Sequence, residues 1–64
     1  MYEIRYGDTE NHKIVRISDE DRALSFYDRV KRFAEGHGLT WVVALWDGSW
    51  LIKSETINGE TVVF

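Results

Sequence analysis

The 64-residue chain contains no cysteine, no proline and only two histidines. Without cysteine, disulfide bonds and thiolate metal sites are excluded. His12 and His37 lie far apart in the sequence and show none of the short ligand spacings of metal-binding motifs. We therefore expect neither a metal nor a cofactor, and the fold must be held by packing alone.

The sequence also lacks a long apolar run and a strong charge of either sign. No stretch approaches the roughly 18 apolar residues of a membrane span, and no apolar signal-peptide core follows a basic start. Eight basic and eleven acidic residues leave a net charge of −3. This mild acidity disfavours general nucleic-acid binding. We expect no membrane association and a cytoplasmic location.

The small size predicts one domain, residues 1–64, of marginal stability. A chain of this length buries only about 60% of the surface that its unfolded form exposes. Good packing or self-association is the usual remedy when disulfides and metals are absent. Three Trp, three Tyr and three Phe supply the packing material. A homodimer, or a complex with a larger protein, is therefore expected.

The first third of the chain predicts a β-hairpin. Tyr2, Ile4 and Tyr6 alternate with charged residues, as in a half-buried strand. Residues 7–11 are polar and contain a glycine, and residues 13–17 are rich in β-branched side chains, as in a second strand. The short connection favours antiparallel pairing.

Residues 19–35 show the period of an amphipathic helix. Ser18 is the predicted N-cap, and the acidic residues 19–21 suit the positive end of the helix dipole. The sequence Gly36-His37-Gly38 predicts the helix end, with one glycine in the left-handed conformation and His37 as a polar capping residue. Six residues form the predicted core stripe: Ala23, Phe26, Tyr27, Val30, Phe33 and Ala34.

The last third predicts a three-stranded meander. Asp47-Gly48 and Asn58-Gly59 are typical of two-residue type I′ hairpin turns, and Thr61–Phe64 reads as the final strand. The predicted fold class is therefore α+β: an antiparallel sheet with one helix packed on one face, in the order β-β-α-β-β-β. Where the first two strands join this sheet stays open.

These turns predict a register in which Leu45 faces Trp50 and Val43 faces Ile52. The face under the helix would then carry Trp41, Val43, Leu45, Trp50, Ile52, Ser54, Thr56, Thr61 and Val63. The opposite face would carry Lys53, Glu55, Ile57 and Glu60 among apolar neighbours. One helix covers one face, and large exposed apolar patches mark interaction sites. The predicted partner-binding residues are Val42, Ala44, Trp46, Leu51, Val62 and Phe64.

The exposed helix face predicts a second, charged surface. Arg22, Arg29 and Arg32 form a stripe that could contact phosphates. Asp21, Asp28 and Glu35 run beside it and could contact a basic partner. A solvated face, with Asp28 and Arg32 paired one turn apart, is the competing interpretation.

The sequence shows no catalytic motif, and we predict no catalytic residues. Gly36-His37-Gly38 lacks the lysine of a phosphate-binding loop and lies at the wrong end of a helix. The serines have no motif-like relation to either histidine. A self-sufficient enzyme is therefore not expected.

Two functional classes follow. The first is a small non-enzymatic protein-interaction module, including an inhibitor of a larger enzyme or nucleoprotein complex. In size, acidity and lack of enzyme motifs the chain resembles small phage-encoded inhibitors such as anti-CRISPR proteins, in general character only. The second is a nucleic-acid-binding domain that uses the sheet aromatics Trp46 and Phe64, or the arginine stripe.

Overall fold

The computed structural model describes residues 1–59, which form a four-stranded antiparallel sheet with one helix on one face. The α+β prediction is confirmed, and the described elements follow the order β-β-α-β-β. The predicted final strand, Thr61–Phe64, lies outside the described residues. The elements are β1 (Tyr2–Gly7), β2 (His12–Ile17), α1 (Glu20–Gly36), β3 (Trp41–Asp47) and β4 (Trp50–Ile57).

The first two strands extend the same sheet as the later ones, in the order β2-β1-β3-β4. Strand β1 pairs with both neighbours, so that Ile4 faces Val15 on one side and Leu45 on the other. The N-terminal hairpin therefore does not fold across the sheet face opposite the helix. That face stays uncovered by the described residues.

Both ends of α1 are capped, although the N-cap is one residue later than predicted. Asp19, not Ser18, is the N-cap. Its backbone is extended, and its carboxylate accepts hydrogen bonds from the backbone N–H groups of Asp21 (2.9 Å) and Arg22 (3.4 Å). At the other end His37 is the C-cap and Gly38 adopts φ +65°. The Leu39 N–H donates to Ala34 O at 2.9 Å, as in a Schellman motif, which confirms the predicted glycine ending.

The β3–β4 hairpin turns one residue later than predicted. Asp47 pairs with Trp50, so Gly48 and Ser49 are the turn residues and the predicted Asp47-Gly48 turn is wrong. Gly48 has φ +60° at the first central position, where type II′ turns carry glycine. A bulge follows, because Trp46 pairs with Leu51 whereas Leu45 pairs with Lys53.

The later turn and the bulge make the predicted β4 register wrong. Side chains alternate along a strand, so an extra residue moves every later side chain to the other face. Three residues predicted away from the helix lie on its side: Lys53, Glu55 and Ile57. Ser54 and Thr56, predicted beneath the helix, lie on the opposite face, and Ile52 is the extra residue. Trp50 is exposed rather than buried.

The Asn58-Gly59 pair also departs from its predicted turn type. Asn58 has φ +52°, but Gly59 does not adopt the positive φ that a type I′ turn requires there. The Asn58 side-chain amide donates instead to the carbonyl oxygens of Ala34 (3.0 Å) and Leu39 (3.3 Å). It thereby ties the end of β4 to the end of α1.

The core lies between α1 and the middle of the sheet. Four helix residues of the predicted stripe are buried, whereas Phe26 is half-buried and Phe33 lies at the edge. Within residues 1–59 the helix lacks the length and apolarity needed to cross a bilayer. The core residues are Ile4, Ala23, Tyr27, Val30, Ala34, Val43, Leu45 and Ile57.

Candidate functional site

The sheet face that points away from α1, here called the helix-free face, is built from three rows of residues. Each row crosses the four strands in the order β2, β1, β3, β4, because residues paired across strands share a face. The rows are Arg16–Glu3–Trp46–Leu51, Ile14–Arg5–Ala44–Ser54 and His12–Gly7–Val42–Thr56.

The helix-free face carries large apolar side chains in solvent. Val42 is 51% exposed, Ile14 46% and Leu51 44%. Trp46 is less exposed because the Arg5 guanidinium lies over its ring, with Cζ 4.8 Å from the centroid. The structure therefore brings together Val42, Ala44, Trp46 and Leu51 as predicted from sequence, whereas Val62 and Phe64 lie outside the described residues.

A three-residue ionic cluster occupies the same face beside Trp46. Glu3 Oε2 lies 2.9 Å from Arg5 Nη2, and Glu3 Oε1 lies 3.0 Å from Arg16 Nε. Hydrogen bonds from Arg5 and then Arg16 hold the pKa of Glu3 below its usual value. The sequence register placed Lys53 as the cation here. The structure places two arginines here instead, and Lys53 on the helix side.

The first residues of β4 add exposed apolar side chains at the same end of the sheet, with Trp50 on the helix side because it pairs with Asp47. Trp50 is 76% exposed, and Ile52 is also exposed. The Gly48 N–H donates to Met1 O at 3.2 Å, which places another exposed apolar residue beside this turn. Sequence reasoning missed Trp50 by placing it in the core. The pair Gly48-Ser49 was the available signal, because Gly-Ser is itself a two-residue hairpin sequence.

On the helix side of the sheet, charged side chains cover part of the gap between α1 and β4, which also contains a depression of about 630 Å³. Lys31 Nζ lies 3.1 Å from Glu55 Oε2, and this contact raises the pKa of Lys31. Lys53 Nζ lies over the Tyr27 ring, 4.4 Å from its centroid. Lys53 and Glu55 thus belong to the packing of the helix, not to the helix-free face.

The gap between α1 and β2 is open and forms an aromatic groove. Its larger section has a volume of about 620 Å³, and a second section of about 360 Å³ continues it along the helix. Tyr6 lies 5.9 Å from Phe26 and 5.7 Å from Trp41, ring centre to ring centre. Phe33 contacts Trp41 at 5.8 Å and stacks on His37 at 4.1 Å.

The charged candidates on the helix do not form one surface. Arg22 and Arg29 line the aromatic groove, with Asp21 at its end. Arg32 instead pairs with Asp28 at 3.0 Å on the exposed helix surface. Glu35 lines a separate depression next to Lys31. The predicted arginine stripe is therefore split between the groove and a solvated ion pair.

Within residues 1–59, no group of three His, Asp or Glu side chains is placed to hold a metal ion. The described surface offers apolar and aromatic contact area with guanidinium groups beside it, which suits binding of a macromolecule. No protein-family model, curated protein or solved structure matches the chain.

Proposed function

We propose that this protein is a small non-enzymatic protein-interaction module that binds through the helix-free face. The observation that carries this proposal is the concentration of large apolar side chains in solvent at one end of the sheet. Trp46 and Leu51 lie on the helix-free face, and the exposed side chains of Trp50, which pairs with Asp47 on the helix side, and of the bulge residue Ile52 lie at the same end of the sheet. Exposed apolar patches of this kind mark interaction sites.

The composition of the face supports a protein partner. Trp and Arg are enriched among the residues that dominate binding energy at protein interfaces. Here Arg5 is held over Trp46 and also by Glu3, so both side chains are ordered before a partner arrives. Preordering reduces the entropy lost on binding. A second copy of the chain, or an enzyme or nucleoprotein complex that the module inhibits, could provide the complementary surface.

The variant Leu51→Glu tests this proposal. It places a carboxylate in the exposed apolar patch without opening the core, because Leu51 is outside the core cluster. Arg32→Glu is the matched control on the exposed helix surface, where only an ion pair worth a few tenths of a kcal/mol is lost. Circular dichroism should show both variants folded.

The first readout is molar mass by light scattering over a wide concentration range. Self-association that Leu51→Glu abolishes and Arg32→Glu preserves would support the proposal with a second copy as the partner. If the wild type stays monomeric, photo-crosslinking side chains at positions 51 and 32 are compared in extracts of the natural host. A discrete adduct from position 51 alone would support the proposal. A monomer that yields no adduct, or equal adducts from both positions, would contradict it.

The nucleic-acid alternative is tested on the same samples. Arg5 covers one face of Trp46, and Glu3 offsets the charge of the two arginines on this face. Base stacking needs an accessible ring face and a basic surround. We therefore expect no binding of mixed single-stranded oligonucleotides at micromolar concentration in low salt. Tight binding there that Leu51→Glu weakens would favour this alternative.

A further inference from the structure

The aromatic groove exists because one helix is too narrow to cover four strands. The outer strands of a four-stranded sheet lie about 14 Å apart, and a helix with its side chains is about 10 Å wide. On the β4 side, Lys31, Glu55 and Lys53 cover part of the remaining strip, and the depression left there is lined mainly by charged and polar side chains. On the β2 side, the described residues leave it open.

The helix wall of the groove alternates cations with aromatic rings. Arg22, Phe26, Arg29 and Phe33 follow one another at the spacing of a single helix face. Phe26 and Arg29 line both sections, so the two sections form one continuous groove. Phe33 is 50% exposed, which leaves an apolar side chain available at the wider end.

The opposite wall and the floor come from the sheet. Lys13 and Ile17 of β2 line the two sections, and Tyr6 and Trp41 form the floor of the larger one. Since the rings of Tyr6, Phe26, Phe33 and Trp41 lean on one another at tilted angles, they present a corrugated apolar surface rather than flat stacking platforms. Such a surface accepts side chains better than nucleobases.

The groove is positively charged although the whole chain carries a net charge of −3. Among residues 1–59, its cations are Lys13, Arg22 and Arg29, and Asp21 is its one acidic residue. Within residues 1–59 none of the three cations forms an ion pair. Asp8 lines a separate depression next to Lys13. Its carboxylate accepts hydrogen bonds from backbone N–H groups of the β1–β2 turn. The groove therefore complements an anionic ligand that also has apolar side chains.

The spacing along α1 indicates a helical ligand. Phe26 and Phe33 are two helical turns apart, which is roughly 10.5 Å along the axis. A second helix beside α1 presents its own side chains at the same interval, and helices pack about 8–10 Å apart. An extended peptide repeats every ~6.7 Å on one side and does not match this interval. We propose that the groove between α1 and β2 binds an acidic amphipathic helix of a protein partner.

A synthetic peptide of about 15 residues serves as the probe, since shorter helices are marginal in water. It carries leucines along one helical stripe and glutamates beside them, with a fluorescent label. The first control peptide has lysine in place of every glutamate, and the second has the leucines scrambled around the helix. Binding is measured by fluorescence anisotropy at low and physiological salt.

Arg29→Glu and Arg32→Glu form a matched pair, because both reverse one charge on α1 but only Arg29 lines the groove. We expect Arg29→Glu to weaken binding of the acidic peptide by about tenfold or more, and Arg32→Glu to change it within about twofold. Phe33→Ala should weaken binding at both salt concentrations, because it removes apolar contact rather than charge. Amide exchange and circular dichroism confirm that each variant is folded.

The proposal is overturned if the two arginine variants lose equal affinity, or if the lysine or scrambled peptide binds as tightly as the acidic one. It is also overturned if a single-stranded oligonucleotide binds the groove more tightly than the acidic peptide. Leu51→Glu separates this site from the helix-free face. Peptide binding should be unchanged in that variant, so the failure of one proposal leaves the other testable.

Discussion

At the scale of one residue, Tyr27 joins the helix to the sheet. Its ring is only 2% exposed, and its hydroxyl donates to Val43 O on the central strand β3 at 3.4 Å. Burial, with a smaller contribution from the charge of Glu55, raises the pKa of Tyr27 to about 12. Phe26, on the same helix, is only half-buried because it forms the groove wall.

Tyr27→Ala should therefore destabilise the protein more than Phe26→Ala does. Truncation of a fully buried large aromatic residue costs about 3–5 kcal/mol, because transfer free energy is lost and a cavity remains. Phe26→Ala should cost less, since its ring already contacts solvent. Urea unfolding followed by circular dichroism measures both free energies. An equal or larger loss for Phe26→Ala would mean that the groove is closed in solution.

At the scale of elements, the beginning of α1 depends on local hydrogen bonds. The Asp19 carboxylate satisfies two N–H groups that have no partner within the helix. Ser18 precedes it and contributes no cap. Strand β4 shows the opposite case, where a bulge that depends on the paired strand decides which side chains reach the helix.

Asp19→Ala should lower the free energy of unfolding by about 1 kcal/mol, the typical loss when an N-cap side chain is removed. Ser18→Ala is the matched control, and we expect it to leave stability within about 0.5 kcal/mol. Thermal unfolding followed by the circular-dichroism signal of the helix distinguishes the two variants. A larger effect of Ser18→Ala would show that the helix begins one residue earlier.

At the scale of the whole molecule, the ionic cluster of Glu3, Arg5 and Arg16 connects β1 to β2 on the helix-free face. Arg5 also contacts Trp46 and so connects β1 to β3. The lowered pKa of Glu3 makes this linkage dependent on pH. The folded protein holds the ionised carboxylate more strongly than the unfolded chain does. Its stabilising effect is therefore present above the ordinary Glu pKa of about 4.5 and is lost as pH falls through the lowered folded value.

The difference in unfolding free energy between wild type and Glu3→Gln should accordingly shrink as the pH falls below about 4.5. The other carboxylates titrate in both proteins, so the difference isolates Glu3. Urea unfolding from neutral to acid pH measures it. A difference that stays constant down to the acid limit would show that the two arginine contacts do not hold the carboxylate in solution.

Much of the fold and part of the candidate site were predictable because their signals are local. The alternation in β1, the helical period and the glycines after α1 each concern neighbouring residues. Val42, Ala44 and Trp46 share a face because they alternate with Val43 and Leu45 on one strand. The exposure of Trp50 was not predictable in this way, because it depends on which of two adjacent turn sequences closes the hairpin.

By itself the sequence determined the kind and order of the elements and which β3 side chains share a face, since periodicity and turn chemistry act over a few residues. It also excluded disulfides, because it contains no cysteine. Only the tertiary structure decided the β4 register, the joining of β1 to β3 and the difference between the two flanks of α1. Those features depend on pairing between distant segments, where one extra residue in a strand exchanges its two faces. For that reason Lys53 and Glu55 lie along one flank of the helix, and Lys13, Arg22 and Arg29 border the aromatic groove on the other.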